Sequence, residues 1–464
     1  MAESAALLPP KVLDPAQIVN NPRWQVRCEL LLNRRSLLEM ASAGAAALML
    51  RSTGQPTASL PKSLRGSRLY RHVREYAALG PHRTSSQGDA ACSAWMQRRL
   101  TAAGFLAETA LVPFPLFSPQ RCSLEIDRET FGTFPAWPVV TTSPLGLEAP
   151  LVPEASPDAH GRIVLLSPAF RQGSSLVLPG FGDAIMAAEA RGAAGVVLVT
   201  NGPTGEIIGL NADDRRFRWK IPVVLAAGRD GQRLQDAARA GASARLLLTG
   251  RLDSAAAGTN VVARRRGRGA TLVVSTPKSG WFTCAGERGS GVAIFLGLAE
   301  ALAARTDADL LFVATTGHEI EGRGGHLFLK SHAPPVERVR LWLHLGAHVA
   351  SNSVDLASGR PVRLADHHAT RGILVSAGLT DAATRAFKGQ LGYQEPVDVT
   401  SPKAVGEVIL YRDAGYSPVI GLVGGHPLHH TPLDLPHLAT SPQALEAVAR
   451  GVYDLVLSAL GQPR

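Results

Sequence analysis

From residue 257 to residue 460, short apolar runs alternate with alanine-rich amphipathic stretches, and this alternation narrows the fold more than any other feature. The apolar runs fall at about 259–264, 270–275, 309–315, 339–345, 371–377 and 418–423, and the helical stretches at about 290–304, 323–332, 380–390 and 442–460. Strands joined through helices build a mostly parallel sheet flanked by helices on both faces. The expected class is α/β. Ligands of such sheets bind where the strands stop at their carboxyl edges, so the residues just after each strand are where chemistry is sought.

Four segments occupy those positions: "STPKSGWFTCAGERGSG" (275–291), "TTGHEIEG" (315–322), "LHLGAH" (343–348) and "HPLHHTPLDL" (426–435). Eleven of the fourteen histidines lie at or after His318, in the half of the chain where a metal or proton-transfer site is therefore expected. The four cysteines have no zinc-type spacing, and with Cys28 in the leading segment the remaining three make no disulfide framework.

The leading segment, residues 1–58, pairs Arg34 and Arg35 with an apolar stretch from Met40 to Leu50, too short to span a bilayer. Charges followed by a short apolar run are the order of an export signal, and the adjacent arginines before Ser-Leu-Leu look like the twin-arginine type. The expectation is an exported protein, periplasmic or extracellular, with no stable membrane span once the signal is removed. Net charge is +10, but only seven of the 48 basic residues are lysine and the arginines are scattered, which argues against a nucleic-acid partner. The one dense run, "ARRRGRGA" (263–270), reads as a solvated hairpin turn between two strands.

Residues 59–150 carry two amphipathic helices that end at glycines and then a proline-rich irregular stretch; 151–252 form a smaller α/β insert; 253–464 form the unit with the strand-end motifs. The insert, with a helix leading into "RGAAGVVLV", then "IPVV" and a "DG" before the next helix, resembles the protease-associated domain, which in its known settings covers a substrate cleft. Nothing in its own residues suggests chemistry.

The order of the four strand-end motifs resembles the zinc aminopeptidase family that also holds glutamate carboxypeptidase, glutaminyl cyclase and the transferrin receptor ectodomain. The likeness covers nearly all of the chain after residue 58 and implies a peptidase-like fold with an inserted protease-associated domain. It also implies ligands. That family places a His-x-Asp-Ser after the second strand, a bridging carboxylate in a "GADDNASG"-like loop, a Glu-Glu pair, an aspartate at the next strand end and a late "HTPxD" histidine. In this chain the first motif is Thr276-Pro277-Lys278-Ser279, without the histidine or the aspartate. Glu287 takes the place of the bridging carboxylate, His318-Glu319 that of the acid pair, His344 that of the aspartate, and His430 that of the late histidine.

What the resemblance implies is therefore one zinc ion, or none, with Glu287, Glu319 and His430 as a ligand trio and His344 as a further donor. His318 would accept a proton from the metal's water, and Lys278 would bring an ammonium to where a second metal is missing. The implied activity is hydrolysis of peptide-like amide bonds in a peptide or small amide substrate, of aminopeptidase or carboxypeptidase type. Two alternatives stay open: a pseudo-peptidase that serves as a binding or scaffold protein, and acyl transfer or cyclisation at the same zinc. Each residue also has a plainer reading. Glu287 pairs with Arg288 at the surface, His318 bonds across its loop, and His344 is a satisfied core histidine.

Overall fold

The structure is a computed structural model and describes residues 59–461; the expected export signal lies outside the described residues. The strand-end motifs are carried by an eight-stranded sheet. Its order is Leu106–Pro113, Ala257–Arg265, Ala308–Thr315, Arg268–Pro277, Val339–Leu345, Val419–Gly424, Arg371–Val375, Val397–Asp398. The four strands at its centre are parallel. Antiparallel strands flank them, with Ala257–Arg265 against Ala308–Thr315 on one side and Arg371–Val375 against Val419–Gly424 on the other. Helices Ser290–Arg305, Arg323–Ser331, Thr380–Ala386 and Pro442–Ala459 fall where the apolar periodicity places them.

The expectation of a hairpin at 263–270 does not hold. Ala257–Arg265 and Arg268–Pro277 are separated by Ala308–Thr315, which pairs with both. The connection crosses the start of that strand so closely that a Cβ on Gly267 would lie 2.2 Å from the carbonyl oxygens of Asp307 and Ala308. Glycine is what lets the backbone pass there.

The insert is a closed barrel of seven strands, in the order Leu116–Ile126, Glu129–Pro135, Val223–Ala227, Gly195–Thr200, Ile163–Leu166, Leu147–Pro153, Ser243–Asp253. Helices Gly182–Ala190 and Gly231–Ala240 accompany it. Ile163 and Leu165 belong to one apolar cluster and Val164 and Leu166 to another, as a strand buried on both faces requires. The barrel begins well before residue 151: three of its strands lie in the stretch that reads as irregular. Their prolines hid them. Pro119 sits where the pairing with Ser243–Asp253 shifts register, and Pro135 and Pro153 end their strands, the places where a strand tolerates proline.

The sheet's own core includes Phe312, fully buried, with the rings of Phe105 and Phe295 edge-on to it at 5.2 and 5.0 Å. No helix among the described residues is long and apolar enough to cross a membrane. Truncating Phe312 to alanine is expected to cost about 3–5 kcal/mol through lost burial and a cavity. Urea unfolding followed by circular dichroism checks this, and a loss under about 1 kcal/mol would show that the three-ring contact contributes little.

Candidate metal centre

All four motif segments follow central strands at the same edge of the sheet, after Pro277, Thr315, Leu345 and Gly424. Glu287 lies in a single π-helical turn, Ala285–Gly289, that leads into the helix Ser290–Arg305. Such turns occur frequently at functional sites. Asp434 holds this one in place, accepting from the backbone N–H of Gly286 at 2.7 Å and of Glu287 at 2.9 Å. Burial and the nearby Glu287 push the Asp434 carboxyl up to about 7 despite those two bonds.

His430 comes to Glu287 from the other side. Its Nε2 stands 3.0 Å from Glu287 Oε1, with both side chains fully buried. Its Nδ1 is 2.8 Å from the carbonyl oxygen of Gly209 and must carry the hydrogen to bond there. A neutral ring so fixed turns a lone pair on Nε2 toward a carboxylate oxygen. A cation, either a proton or a metal ion, has to lie between them. Without a metal the proton fills that role: burial opposes it, but Glu287 raises His430 above its ordinary value. Burial would likewise raise Glu287, yet the Arg288 guanidinium and His430 hold it well below the usual carboxylate range.

His429, the neighbour of the expected ligand His430, completes the group. Its ring stacks on that of His430 at 3.9 Å and 18°, burial holds it well below the usual imidazole value, and its Nδ1 has no partner. Ligand atoms of Glu287, His429 and His430 all lie within 4.8 Å of one another. Neither oxygen of Glu287 makes a directional hydrogen bond, although Arg288 and His430 are at ion-pair distance, and His430 Nε2 also lacks one. A lone pair engaged only electrostatically is still available to a metal. One carboxylate and two imidazoles with free nitrogens suit a borderline divalent ion such as zinc.

Glu319 is close by but differently occupied. Its Oε2 accepts from Ser279 Oγ at 2.8 Å, and its Oε1 is 3.3 Å from Arg288 Nη2. The same nitrogen is 2.8 Å from Glu287 Oε1, so a guanidinium joins two of the three expected ligands. The ion pair between Glu287 and Arg288 thus exists, but deep in the protein, with Arg288 only 1% exposed and its Nε donating to the Ser279 carbonyl at 2.9 Å.

The remaining expected residues are placed as follows. Lys278 is not beside this group: its ammonium is fully buried and paired with Asp89, on the helix Gln87–Ala102. Asp89 is further held by Thr316 Oγ1 at 2.9 Å and the Ser85 N–H at 3.1 Å. His344 Nδ1 lies 2.9 Å from Ser275 Oγ inside the sheet, and burial lowers the ring to about 4. It is not in the group of converging donors. His318 is partly exposed, and its Nδ1 donates to Glu407 Oε2 at 2.7 Å. Burial would raise Glu407, yet that hydrogen bond holds it at about 2. Tyr411 also donates to Glu407, at 3.1 Å. Glu407 escaped sequence reasoning because it stands in a loop 89 residues from its partner.

The insert closes over the site. The Gly209 N–H donates to the His430 carbonyl and the Ala212 N–H to the Glu319 carbonyl, both at 2.9 Å, and Trp281 Nε1 donates to Asn211 Oδ1 at 3.1 Å. A Cβ on Gly209 would meet the Trp281 ring at 2.6 Å, so glycine is what allows this approach. An insert bonded directly to the segments that carry His430 and Glu319 restricts solvent there.

Comparison with known proteins agrees with this architecture. Residues 135–234 match the family model of the PA domain, and no curated protein matches the chain. Among solved structures the chain is similar to BSAP, a zinc aminopeptidase from Bacillus subtilis. The two are 17% identical with a TM-score of 0.66, over 86% of this chain and 96% of that one. It is also similar to a peptidase M28 precursor from Shewanella amazonensis (16% identity, TM-score 0.68, 87% and 95% covered). A third likeness is to an aminopeptidase from Aneurinibacillus sp. (17%, 0.57, 86% and 94%).

Removing one partner of a buried ion pair leaves an uncompensated charge. Asp89→Asn is therefore expected to cost about 3–5 kcal/mol by urea unfolding, and the double change Asp89→Leu, Lys278→Met to recover most of it. A single variant as stable as wild type would contradict the buried pairing.

Proposed function

We propose, from a chain that has the zinc aminopeptidase fold with an inserted PA domain, that the protein hydrolyses peptide-like amide bonds with one zinc ion held by Glu287, His429 and His430. Fold does not fix activity. The observation that carries the reading is the convergence of a buried carboxylate, a buried imidazole and a second, half-buried imidazole, with His430 aimed by the Gly209 carbonyl, as outer partners aim metal-binding histidines. When bound, zinc would supply a lowered water pKa and a polarised carbonyl.

The chain's own groups would do the rest. His318, fixed through Nδ1 by Glu407, presents Nε2 as a proton acceptor. The fixed positive charge near the centre is Arg288 rather than Lys278. Its Nη1 is buried without a partner and would stabilise negative charge developing on a carbonyl oxygen. The insert would exclude bulk water, which strengthens both effects.

A second reading, a non-catalytic binding protein, is favoured by Arg288 itself. The guanidinium is already shared between Glu287 and Glu319, Lys278 pairs with Asp89, and Glu407 accepts from the His318 N–H. Metal analysis and turnover on aminoacyl and N-acyl amides separate the two. For the hydrolase, one equivalent of zinc per chain is expected, lost in His430→Ala. His318→Gln is expected to keep zinc while turnover falls about 10²- to 10⁴-fold. Wild-type protein without zinc or turnover, in which Arg288→Met gains zinc, would instead support the binding protein.

We also propose export through residues 1–58, on the strength of Arg34-Arg35 and the short apolar run. Replacing both arginines by lysine is expected to hold the protein in the cytoplasm on cell fractionation. Unchanged distribution would remove the twin-arginine assignment.

A further inference from the structure

Between the barrel and the sheet edge lies a cavity lined by Phe114, Phe117, Phe134, Trp137, Trp281 and Ile320. Its walls are packed aromatic pairs, Phe114 with Trp137 at 4.7 Å and Phe134 with Trp281 at 6.0 Å. Two charged residues also border it. One is Glu319, whose oxygens are engaged by Ser279 and Arg288 and which is therefore one guanidinium away from Glu287. The other is Arg83.

Arg83 is half-buried, and among the described residues its side chain makes one long hydrogen bond, from Nη1 to the Phe117 carbonyl at 3.4 Å. Among the described residues no carboxylate pairs with it. Burial pushes the guanidinium below its ordinary value, and nothing opposite offsets that. A half-buried guanidinium without an anion, set in an apolar wall, is a site for a carboxylate.

Volume narrows the rest of the ligand. The cavity measures about 40 Å³, room for roughly three water-sized groups. That suits an isopropyl or isobutyl group and not an indole. Arg83 and Glu319 line the same cavity, so a residue held there by its carboxylate shares the cavity with a side chain bonded to the segments of the candidate metal group.

We propose that this cavity is a substrate subsite for a short aliphatic amino acid with a free carboxylate, as at the end of a peptide or in an N-acyl amino acid. The carboxylate pairs with Arg83 and the side chain fills the aromatic cavity. This rests on the hydrolase reading and gives it a substrate class, an acylated residue such as valine or leucine.

Calorimetric titration of the full chain, with and without added zinc, tests it. N-acetyl-L-leucine is expected to bind, with N-acetyl-L-leucinamide and N-acetyl-L-tryptophan each at least about tenfold weaker. Arg83→Met is expected to lower affinity for the acid about 10- to 100-fold and leave the amide unchanged. Filling the cavity with Leu116→Trp should remove binding of both while zinc content stays the same. Equal affinity of the wild-type chain for acid and amide overturns the proposal, and that comparison stands even where a variant fails to fold. Binding is read without turnover. A chain that binds the acid through Arg83 but cleaves no amide therefore overturns the hydrolase reading alone, and one that cleaves amides with indifference to Arg83→Met overturns the subsite alone.

Discussion

The candidate site depends on the contact between His430 and Glu287. Because the Gly209 carbonyl takes the hydrogen on Nδ1, Nε2 faces a buried carboxylate oxygen 3.0 Å away with a lone pair. Two electron-rich atoms stay that close in a dry interior only with positive charge between or beside them. Three sources are at hand: a proton on the imidazole, the Arg288 guanidinium, and a metal ion. Much of the surrounding structure, from the π-helical turn braced by Asp434 to the insert bonded across the top, serves to keep this pair fixed.

The acids around the site already have partners within the chain. Lys278 pairs with Asp89, the single guanidinium of Arg288 is shared by Glu287 and Glu319, and the His318 N–H donates to Glu407. A centre of several unanswered carboxylates demands metal charge; this one demands less. That is physically consistent with room for one ion rather than two, and with Arg288 standing where a second positive charge would otherwise be required. The neighbouring imidazoles do not form a proton path outward from it. His426 lies between His348 and His368, but its Nε2 is bonded to the Asn352 carbonyl and its Nδ1 accepts from the Leu428 N–H, which fixes it as a neutral spacer.

Most of the architecture was legible from local pattern, since the strands and helices of the main sheet follow apolar periodicity that burial enforces. Strand neighbours were not. The run at 263–270 looks like a hairpin because sequence shows that two strands are consecutive and not that a third, Ala308–Thr315, separates them. Prolines at a register shift and at strand ends disguised three of the barrel's seven strands. At the site, Glu287 and His430 could be found because they sit in motifs with fixed spacing. His429 was adjacent to a recognised residue and signalled only by that adjacency. Lys278 and Arg288 exchanged roles for a reason invisible along the chain: the carboxylate that captures Lys278 is Asp89, 189 positions away. Likewise, Glu407 is brought to His318 only by the fold.

Anomalous scattering at the zinc edge, recorded from crystals of the purified full chain, bears most directly on the central claim. A single peak about 2.0–2.2 Å from an oxygen of Glu287 and from His430 Nε2, with Arg288 still beside Glu319, is the expected result. No peak there, with Glu287 and His430 in direct contact and Arg288 alone supplying the charge, would contradict it.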